Sequence, residues 1–389
     1  MHSLLTRSFV SLLLAQTSFG FAFASFFLLP KYLTTELAAG PAEIGAVMGV
    51  FGATSVVAIP LVGALVDRLG RRRFMTAGAL AMAGVALAFR AVHEVGPLLY
   101  ALRMLQGAAF AMTFIASSTL VTDEAPPERL GEALGLFGVS MLSMHALAPA
   151  AAEGIAGRFG WNAVFLAAAA AAVVSALLTL LVREPAPPPR ESAGVSSFWE
   201  VARRPRSLRI AAVTALSGAA FGAMLTYSQP FALELGRTQV RGFFVAYAGA
   251  AVAVRLGLGG AADRFGRERV SVASLAVYAA VVLAMSALRP GALEPLGALF
   301  GLAHGLFYPA FNALAVEAAG AHERGKVMAL YNGAFNVGNS GATVALGLVA
   351  ARLGYPAVFL LAGLGVLLGL ALLALSPEGR PARVLEPTL

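Results

Sequence analysis

Two arginines and two histidines stand inside long apolar stretches of this chain: Arg103, Arg255, His145 and His304. An arginine at the centre of a hydrocarbon layer costs roughly 2.5–3.5 kcal/mol on insertion scales, so it normally faces water, a ligand or a partner group. Arg103 and Arg255 are therefore candidate anchors for an anionic group; snorkelling or a fixed structural pair is the alternative. A histidine changes charge near neutral pH, which makes His304 and His145 candidate proton sites or, alternatively, packed core histidines. Glu153 lies at a depth similar to Arg103 and is its expected partner. His304, Tyr308, Phe311 and Asn312 fall at i, i+4, i+7 and i+8, on one face of a helix. Asn332, Asn336, Asn339, Ser340 and Thr343 share another face, which either lines a ligand path or hydrogen-bonds a neighbouring helix. No aspartate or glutamate stands at the middle of any apolar stretch. Binding of a small molecule and movement of protons are the chemistry these residues suit.

The absence of cysteine excludes disulfides, thiolate metal sites, iron–sulfur clusters and cysteine nucleophiles. No metal or cofactor is expected. Residues 320–326 mimic a phosphate-binding loop, but Val327 stands where a hydroxyl would hold magnesium and no strand precedes it. Gly257 and Gly259 mimic a dinucleotide fingerprint inside an apolar run.

The elements that carry these residues follow from composition. Hydrophobic residues make up 59% of the 389 and charged residues 12%, against roughly 25% charged in a soluble domain. Mean hydropathy is +0.79. Twelve apolar runs of membrane-spanning length are visible, at 8–29, 44–66, 74–92, 97–121, 130–152, 161–182, 210–233, 243–262, 270–288, 295–318, 325–350 and 356–375. Each must be a helix, because lipid leaves no partner for a free backbone amide. Ala22-Phe-Ala24 imitates a signal-peptidase site, but the run continues to Leu29 and reads as a working helix.

An even number of spans puts both termini on one side. Of the 28 lysines and arginines, only Lys31, Arg90, Arg158, Arg237, Arg241, Arg289 and Arg352 fall in loops on the opposite side. The positive-inside rule then makes the terminal side cytoplasmic. It also accounts for the net charge of +8 without nucleic acid as a partner.

The chain repeats itself at about 195 residues. Gly63-Ala-Leu-Val-Asp67-Arg68-Leu-Gly70-Arg71 returns as Gly259-Gly-Ala-Ala-Asp263-Arg264-Phe-Gly266-Arg267. Arg158-Phe-Gly160-Trp161 returns as Arg352-Leu-Gly354-Tyr355, and Glu128-Arg129 as Glu323-Arg324. The reading is an all-α membrane protein of twelve transmembrane helices in two pseudo-symmetric six-helix bundles, 1–182 and 208–389, the second with a short cytoplasmic tail. A cytoplasmic linker, 183–207, joins them. Within it, Phe198, Trp199 and Val201 beside Arg203, Arg204 and Arg206 suggest a segment lying on the inner membrane surface, or simply a solvated connection. Pro30, Pro60, Pro149 and Pro230 are expected to kink or end helices.

The loop between the second and third spans, with Gly63, Asp67, Arg68, Gly70, Arg71 and Arg72, resembles the signature loop of the major facilitator superfamily. The fourth span, Arg103-x-x-Gln106-Gly107, is similar to the motif of proton-coupled drug and metabolite exporters, in which the arginine is linked to proton movement. The fifth span departs from those exporters: Ala148-Pro149 stands where a Gly-Pro pair is usual. The resemblance implies two bundles that rock about a central cavity. It implies that Gln16, Gln106, Tyr227 and Gln229 add polar groups to that cavity, beside Arg103, Arg255, His304, Tyr308, Asn312, Asn332 and Asn336. It implies proton coupling through Arg103, with His304, His145 and Glu153 as further candidates. It also implies an inner gate of Asp67, Arg68, Arg71, Asp123, Asp263, Arg264, Arg267 and Glu317, with plain topology signalling as the alternative.

The expected function is proton-coupled export of a small amphipathic or anionic compound, by a monomer in the bacterial inner membrane. Its partners are that substrate, protons and lipid, and it is not an enzyme. Proton-coupled uptake is the alternative on the same fold. From other classes come a ligand sensor that moves nothing, and an intramembrane serine protease built on Gly338-Asn-Ser340-Gly341 with His145 or His304 as base.

Overall fold

Backbone groups have no water to bond in a bilayer, so apolar segments close their hydrogen bonds within themselves. In the computed structural model, twelve helices are long and apolar enough to cross a membrane. They are α1 (Arg7–Glu36), α2 (Pro41–Val66), α3 (Arg71–Ala91), α4 (Pro97–Glu124), α5 (Leu130–Phe159), α6 (Trp161–Thr179), α7 (Pro205–Glu234), α8 (Arg241–Leu258), α9 (Arg267–Ala287), α10 (Pro290–Glu317), α11 (Arg324–Leu353) and α12 (Tyr355–Ala374). The structure describes residues 4–184, 197–258, 260–317, 319 and 323–374, apart from the side chains of Asp67 and Pro127. No strand occurs among the described residues.

Two helices, α1 and α5, run furthest past their predicted ends. α1 continues from 29 to Glu36, tightening into a 3-10 turn at Ser25–Leu28 just before Pro30. The proline lacks an N–H, and the tighter turn re-forms the ladder around it. α5 continues from 152 to Phe159 with Pro149 inside it. Pro60 and Pro230 likewise sit inside helices that they do not end.

Glycines, not prolines, end helices at the repeated corners. Gly70 between α2 and α3 has φ 99°, and Gly266 between α8 and α9 has φ 92°. Gly160 between α5 and α6 has φ 78°, and Gly354 between α11 and α12 has φ 79°. A side chain rarely adopts these angles. The sequence repeat thus recurs as a repeat of backbone conformation.

Packing repeats as well. Within the first six helices α2 packs on α4, α3 on α4, α3 on α6, α1 on α6 and α1 on α5. Within the last six, α8 packs on α10, α9 on α10, α9 on α12, α7 on α12 and α7 on α11. Adding six to each helix number converts one set into the other.

The two sets meet along α2–α11 and α5–α8. We call the side on which α1 begins and α12 ends the linker face, and the other the far face. Contact along α2–α11 is tight in the far-face half. A Cβ on Gly45 would lie 2.7 Å from the Thr343 carbonyl oxygen, and one on Gly49 would collide with Val344 Cγ2. In the linker-face half, a Cβ on Gly63 of α2 or on Gly325 and Gly333 of α11 would meet nothing within 4 Å. On α5 and α8 open glycines occur along the whole length, Gly131, Gly135, Gly138 and Gly157 of α5 and Gly249 and Gly257 of α8. Along α2–α11 the closest backbone approach therefore lies at Gly45, Gly49 and Gly52.

Both ends of the linker are pinned. The Arg183 amide donates to Ser8 Oγ at 2.8 Å. Short helix Phe198–Ala202 buries Val201, and Arg204 grips the Glu323 carboxylate with two bonds of 2.7 and 2.8 Å. That bidentate hydrogen bond holds the Arg204 guanidinium above its ordinary pKa. Residues 185–196 lie outside the described residues.

Candidate substrate site

Between the two sets, α5, α8, α10 and α11 bring together residues far apart in sequence. The helical face of α10 seen in the sequence places His304 and Tyr308 one turn apart, with their rings 5.6 Å apart. His304 Nδ1 lies 3.1 Å from Tyr247 Oη of α8. The imidazole Nε2 is buried and has no hydrogen-bond partner. Phe221 of α7 lies tilted against the imidazole at 4.8 Å, and Phe335 of α11 lies 6.2 Å away. Tyr308 Oη donates to Asn332 Oδ1 at 2.8 Å, and Tyr331 Oη donates to the Tyr308 carbonyl at 3.0 Å. Asn336 donates its amide to the Asn332 carbonyl one turn back, at 2.8 Å. Asn312 is half-buried on the linker-face side of Tyr308.

Arg255 of α8 is the cation beside this cluster. It lies within electrostatic reach of His145, His304, Tyr247 and Tyr308. Its Nε is buried without a hydrogen-bond partner, and no carboxylate pairs with it among the described residues. Across the hollow, His145 of α5 lies edge-on to Phe27 at 4.8 Å, and its Nδ1 is also unpartnered. Gln16 of α1 reaches Met141 Sδ at 2.6 Å and leaves its carbonyl oxygen unpartnered.

Arg103 stands elsewhere. It is buried between α4 and α2, donating to the Val47 carbonyl at 3.1 Å and to Gln106 Oε1, with its guanidinium 4.7 Å over the Phe51 ring. Gln106 in turn reaches Met82 of α3. The expected pairing of Arg103 with Glu153 is not made. Two residues at similar depth on neighbouring spans pair only if their helices turn those faces together, and α4 turns Arg103 to α2.

Glu153 closes the far face instead. Its carboxylate takes Lys31 Nζ of α1 at 2.5 Å. It also accepts from the backbone amides of Val240 and Arg241 at 2.9 and 2.8 Å, at the N-terminus of α8. Lys31 continues to the Thr238 carbonyl at 2.5 Å. Gln229 belongs to the same closure, donating to the Phe27 carbonyl at 2.7 Å. Tyr227 bonds the Thr343 carbonyl of α11 beneath it.

The linker-face charges pair within each set. Arg71, buried at the start of α3, lies 3.4 Å from Asp123 at the end of α4. Arg267 reaches Asp263 at 3.2 Å and Glu317 at 3.8 Å. Arg264 lies over the Phe265 ring, and Arg68 is exposed. The Asp67 side chain lies outside the described residues. Ser340 Oγ has no hydrogen-bond partner and abuts Gly52 of α2, so no histidine activates it.

Four contributors escaped the sequence reading: Tyr247, Phe221, Phe335 and Lys31. Tyr247 had a signal, since it precedes Arg255 by two helical turns. Lys31 had another, as one of the few cations on the far side. The two phenylalanines are indistinguishable in sequence from core residues.

Two similarly packed sets of six helices, tied together at the far face beside a cluster of polar and aromatic side chains, have the architecture of a membrane transporter. The match to the family model described as Major Facilitator Superfamily spans residues 10–285 and 235–388, and the chain belongs to that family. It is thus an integral membrane transporter and not an enzyme. It is 27% identical over 379 residues to "Multidrug resistance protein MdtG" of Serratia proteamaculans (strain 568), covering 93% of this chain and 91% of that one. The protein of the same name from Dickeya zeae (strain Ech586) is 28% identical over 330 residues, covering 81% and 80%. Among solved structures, a nucleoside transporter, NupG, superposes with a TM-score of 0.80 at 14% identity, covering 94% of this chain and 99% of that one. A bacterial homologue of the human lysosomal transporter Spinster, in an inward-facing and occupied conformation, gives 0.78 at 14% identity, with 94% and 95% covered. At these identities the structural likeness speaks for the fold alone.

Proposed function

We propose that the protein exports a small amphipathic or anionic compound from the cytoplasm in exchange for protons, by alternating access. The observation that carries this reading is Arg255, without a carboxylate partner among the described residues, near the aromatic and histidine cluster of α7, α8, α10 and α11, with Glu153 tying the two helix sets at the far face. The charge bias of the loops supports a cytoplasmic linker face and cytoplasmic termini, and on that reading the described state is inward-open. The multidrug-resistance name of the relatives supports export over uptake.

In this mechanism 1–182 and 208–389 move as two bodies of one monomer about the hollow, tethered by 183–207. Substrate enters from the cytoplasm and meets Arg255, with Tyr308, Asn332 and Asn336 orienting it. His304 exchanges the proton, and His145 faces it across the hollow. In the outward-open state the linker-face charges, Asp67, Arg68, Arg71 and Asp123 from one body and Asp263, Arg264, Arg267 and Glu317 from the other, hold the cytoplasmic side. A single exposed pair contributes only about 0–1 kcal/mol, so the group acts as a weak, reversible gate.

Purified protein in liposomes tests this reading. An imposed pH gradient drives counterflow of substrate under antiport. Accumulation in the direction of the proton gradient establishes uptake instead, and ligand binding without flux in any gradient removes transport altogether.

A further inference from the structure

We propose that the hollow selects a monoanion carrying a flat aromatic body, with the anionic group on Arg255 and the ring among Phe221, His304 and Phe335. This rests on the transport reading above and narrows its substrate class.

Charge comes first. Of the two arginines within the apolar runs, Arg255 is the one without a carboxylate or hydrogen-bond partner on its Nε among the described residues: Arg103 is committed to Val47, Gln106 and Phe51, and Lys31 pairs with Glu153 at the far face. The acidic residues of the described chain stand at helix ends or in loops, none of them in the hollow. A cationic guest therefore meets a like charge and no counter-charge. An anionic guest supplies the partner that this half-buried guanidinium, with its Nε unpartnered, lacks. While His304 is neutral, one negative charge is matched by Arg255 and a second is not.

Shape comes second. The imidazole of His304, within electrostatic reach of Arg255, sits 4.8 Å from Phe221, 5.6 Å from Tyr308 and 6.2 Å from Phe335, so this cluster presents ring faces and edges. Rings favour offset-stacked or edge-to-face partners. Two buried nitrogens without partners, His304 Nε2 and His145 Nδ1, offer hydrogen bonds to a polar substituent on the guest. An aliphatic anion fills the charge site and leaves the ring wall uncovered.

The test uses full-length protein in nanodiscs without any gradient, so that binding is read apart from transport. The probes are naphthoate, its neutral amide naphthamide, and naphthylmethylammonium. Naphthoate is expected to bind at least about tenfold more tightly than the amide and the ammonium weakest, tenfold being about 1.4 kcal/mol. Arg255→Gln is expected to erase the preference of naphthoate over naphthamide while naphthamide binding survives, and Arg255→Lys to keep part of it. The wild-type charge series needs no variant and decides the question even if the variants misfold. Equal or tighter binding of the ammonium, or an anion preference that persists in Arg255→Gln, overturns the proposal. If pH-driven counterflow of a neutral amphiphile occurs while the anion preference is absent, this inference fails and the transport reading stands. Tight naphthoate binding with no flux in any gradient has the opposite meaning: the anion selectivity stands and transport fails.

Discussion

The Glu153 carboxylate accepts the backbone amide of Val240 at 2.9 Å, so a side chain of the fifth helix caps the eighth, which belongs to the other set. With the Arg241 amide at 2.8 Å and Lys31 at 2.5 Å, that one carboxylate ties α1, α5 and α8 together at the far face. Its negative charge sits at the positive end of the α8 dipole, which adds to the attraction. Val240 is buried and Glu153 is 7% exposed, so the bonds are shielded from water.

Glu153→Gln keeps the shape and removes the charge. A hydrogen bond to a charged group contributes about 1.5–3 kcal/mol, so the equilibrium between far-face-closed and far-face-open states is expected to move roughly 10–150-fold toward open. The chain has no cysteine, so a single reporter can be read cleanly. Ser228→Cys, buried in the far-face half of α7, is expected to react faster with a far-side maleimide in the Glu153→Gln background. An unchanged labelling rate removes the latch.

Gly45→Ala tests the α2–α11 contact independently. The added methyl would lie 2.5 Å from Tyr227 Oη and 2.7 Å from the Thr343 carbonyl oxygen, which is backbone and cannot swing away. The far face is expected to stay ajar and transport to fall by an order of magnitude or more, with the same Ser228→Cys reporter responding. Gly63→Ala, where the methyl meets nothing within 4 Å, is expected to transport normally.

Arg103→Lys distinguishes packing from ligand contact. Lysine cannot reproduce both the bond to Val47 and the bond to Gln106, so stability is expected to fall by ~1–3 kcal/mol. Thermal unfolding in detergent measures that loss. Naphthoate affinity is expected to change less than about twofold, a small step on the scale where tenfold is 1.4 kcal/mol. Lost affinity at unchanged stability would return Arg103 to the binding site.

His304→Ala is expected to leave a substrate flux that no longer follows the pH gradient, because the exchangeable proton site is gone. A pH-sensitive dye sealed in vesicles reports proton movement alongside substrate flux. Wild-type pH dependence in this variant clears His304 of the proton role, and Tyr247→Phe, which removes its 3.1 Å partner, then serves as the control for packing.

Helix number and approximate limits were legible in the residues themselves. Apolar runs in lipid have to close their own hydrogen bonds, and hydropathy needs no knowledge of neighbours. The repeat was legible for a related reason: Gly70, Gly160, Gly266 and Gly354 mark corners whose backbone angles few other residues tolerate. Helix ends were less so at Pro30 and Pro149, where tertiary packing sustains a ladder that local rules would break.

Partnership between helices was not legible. His304 and Tyr308 could be placed on one face by spacing alone, yet that Tyr247 faces them, that Arg103 turns toward Val47 and that Glu153 reaches across to Val240 depend on how each rod is rotated. Rotation is set by the fit of many small surfaces at once, such as Gly45 and Gly49 against Thr343 and Val344. Hydropathy along a chain carries almost no record of that fit, because lipid-facing and helix-facing positions are both apolar. The amino-acid order determined a twelve-helix, twice-built membrane protein; the packed molecule decided which charge was left unpaired in its hollow.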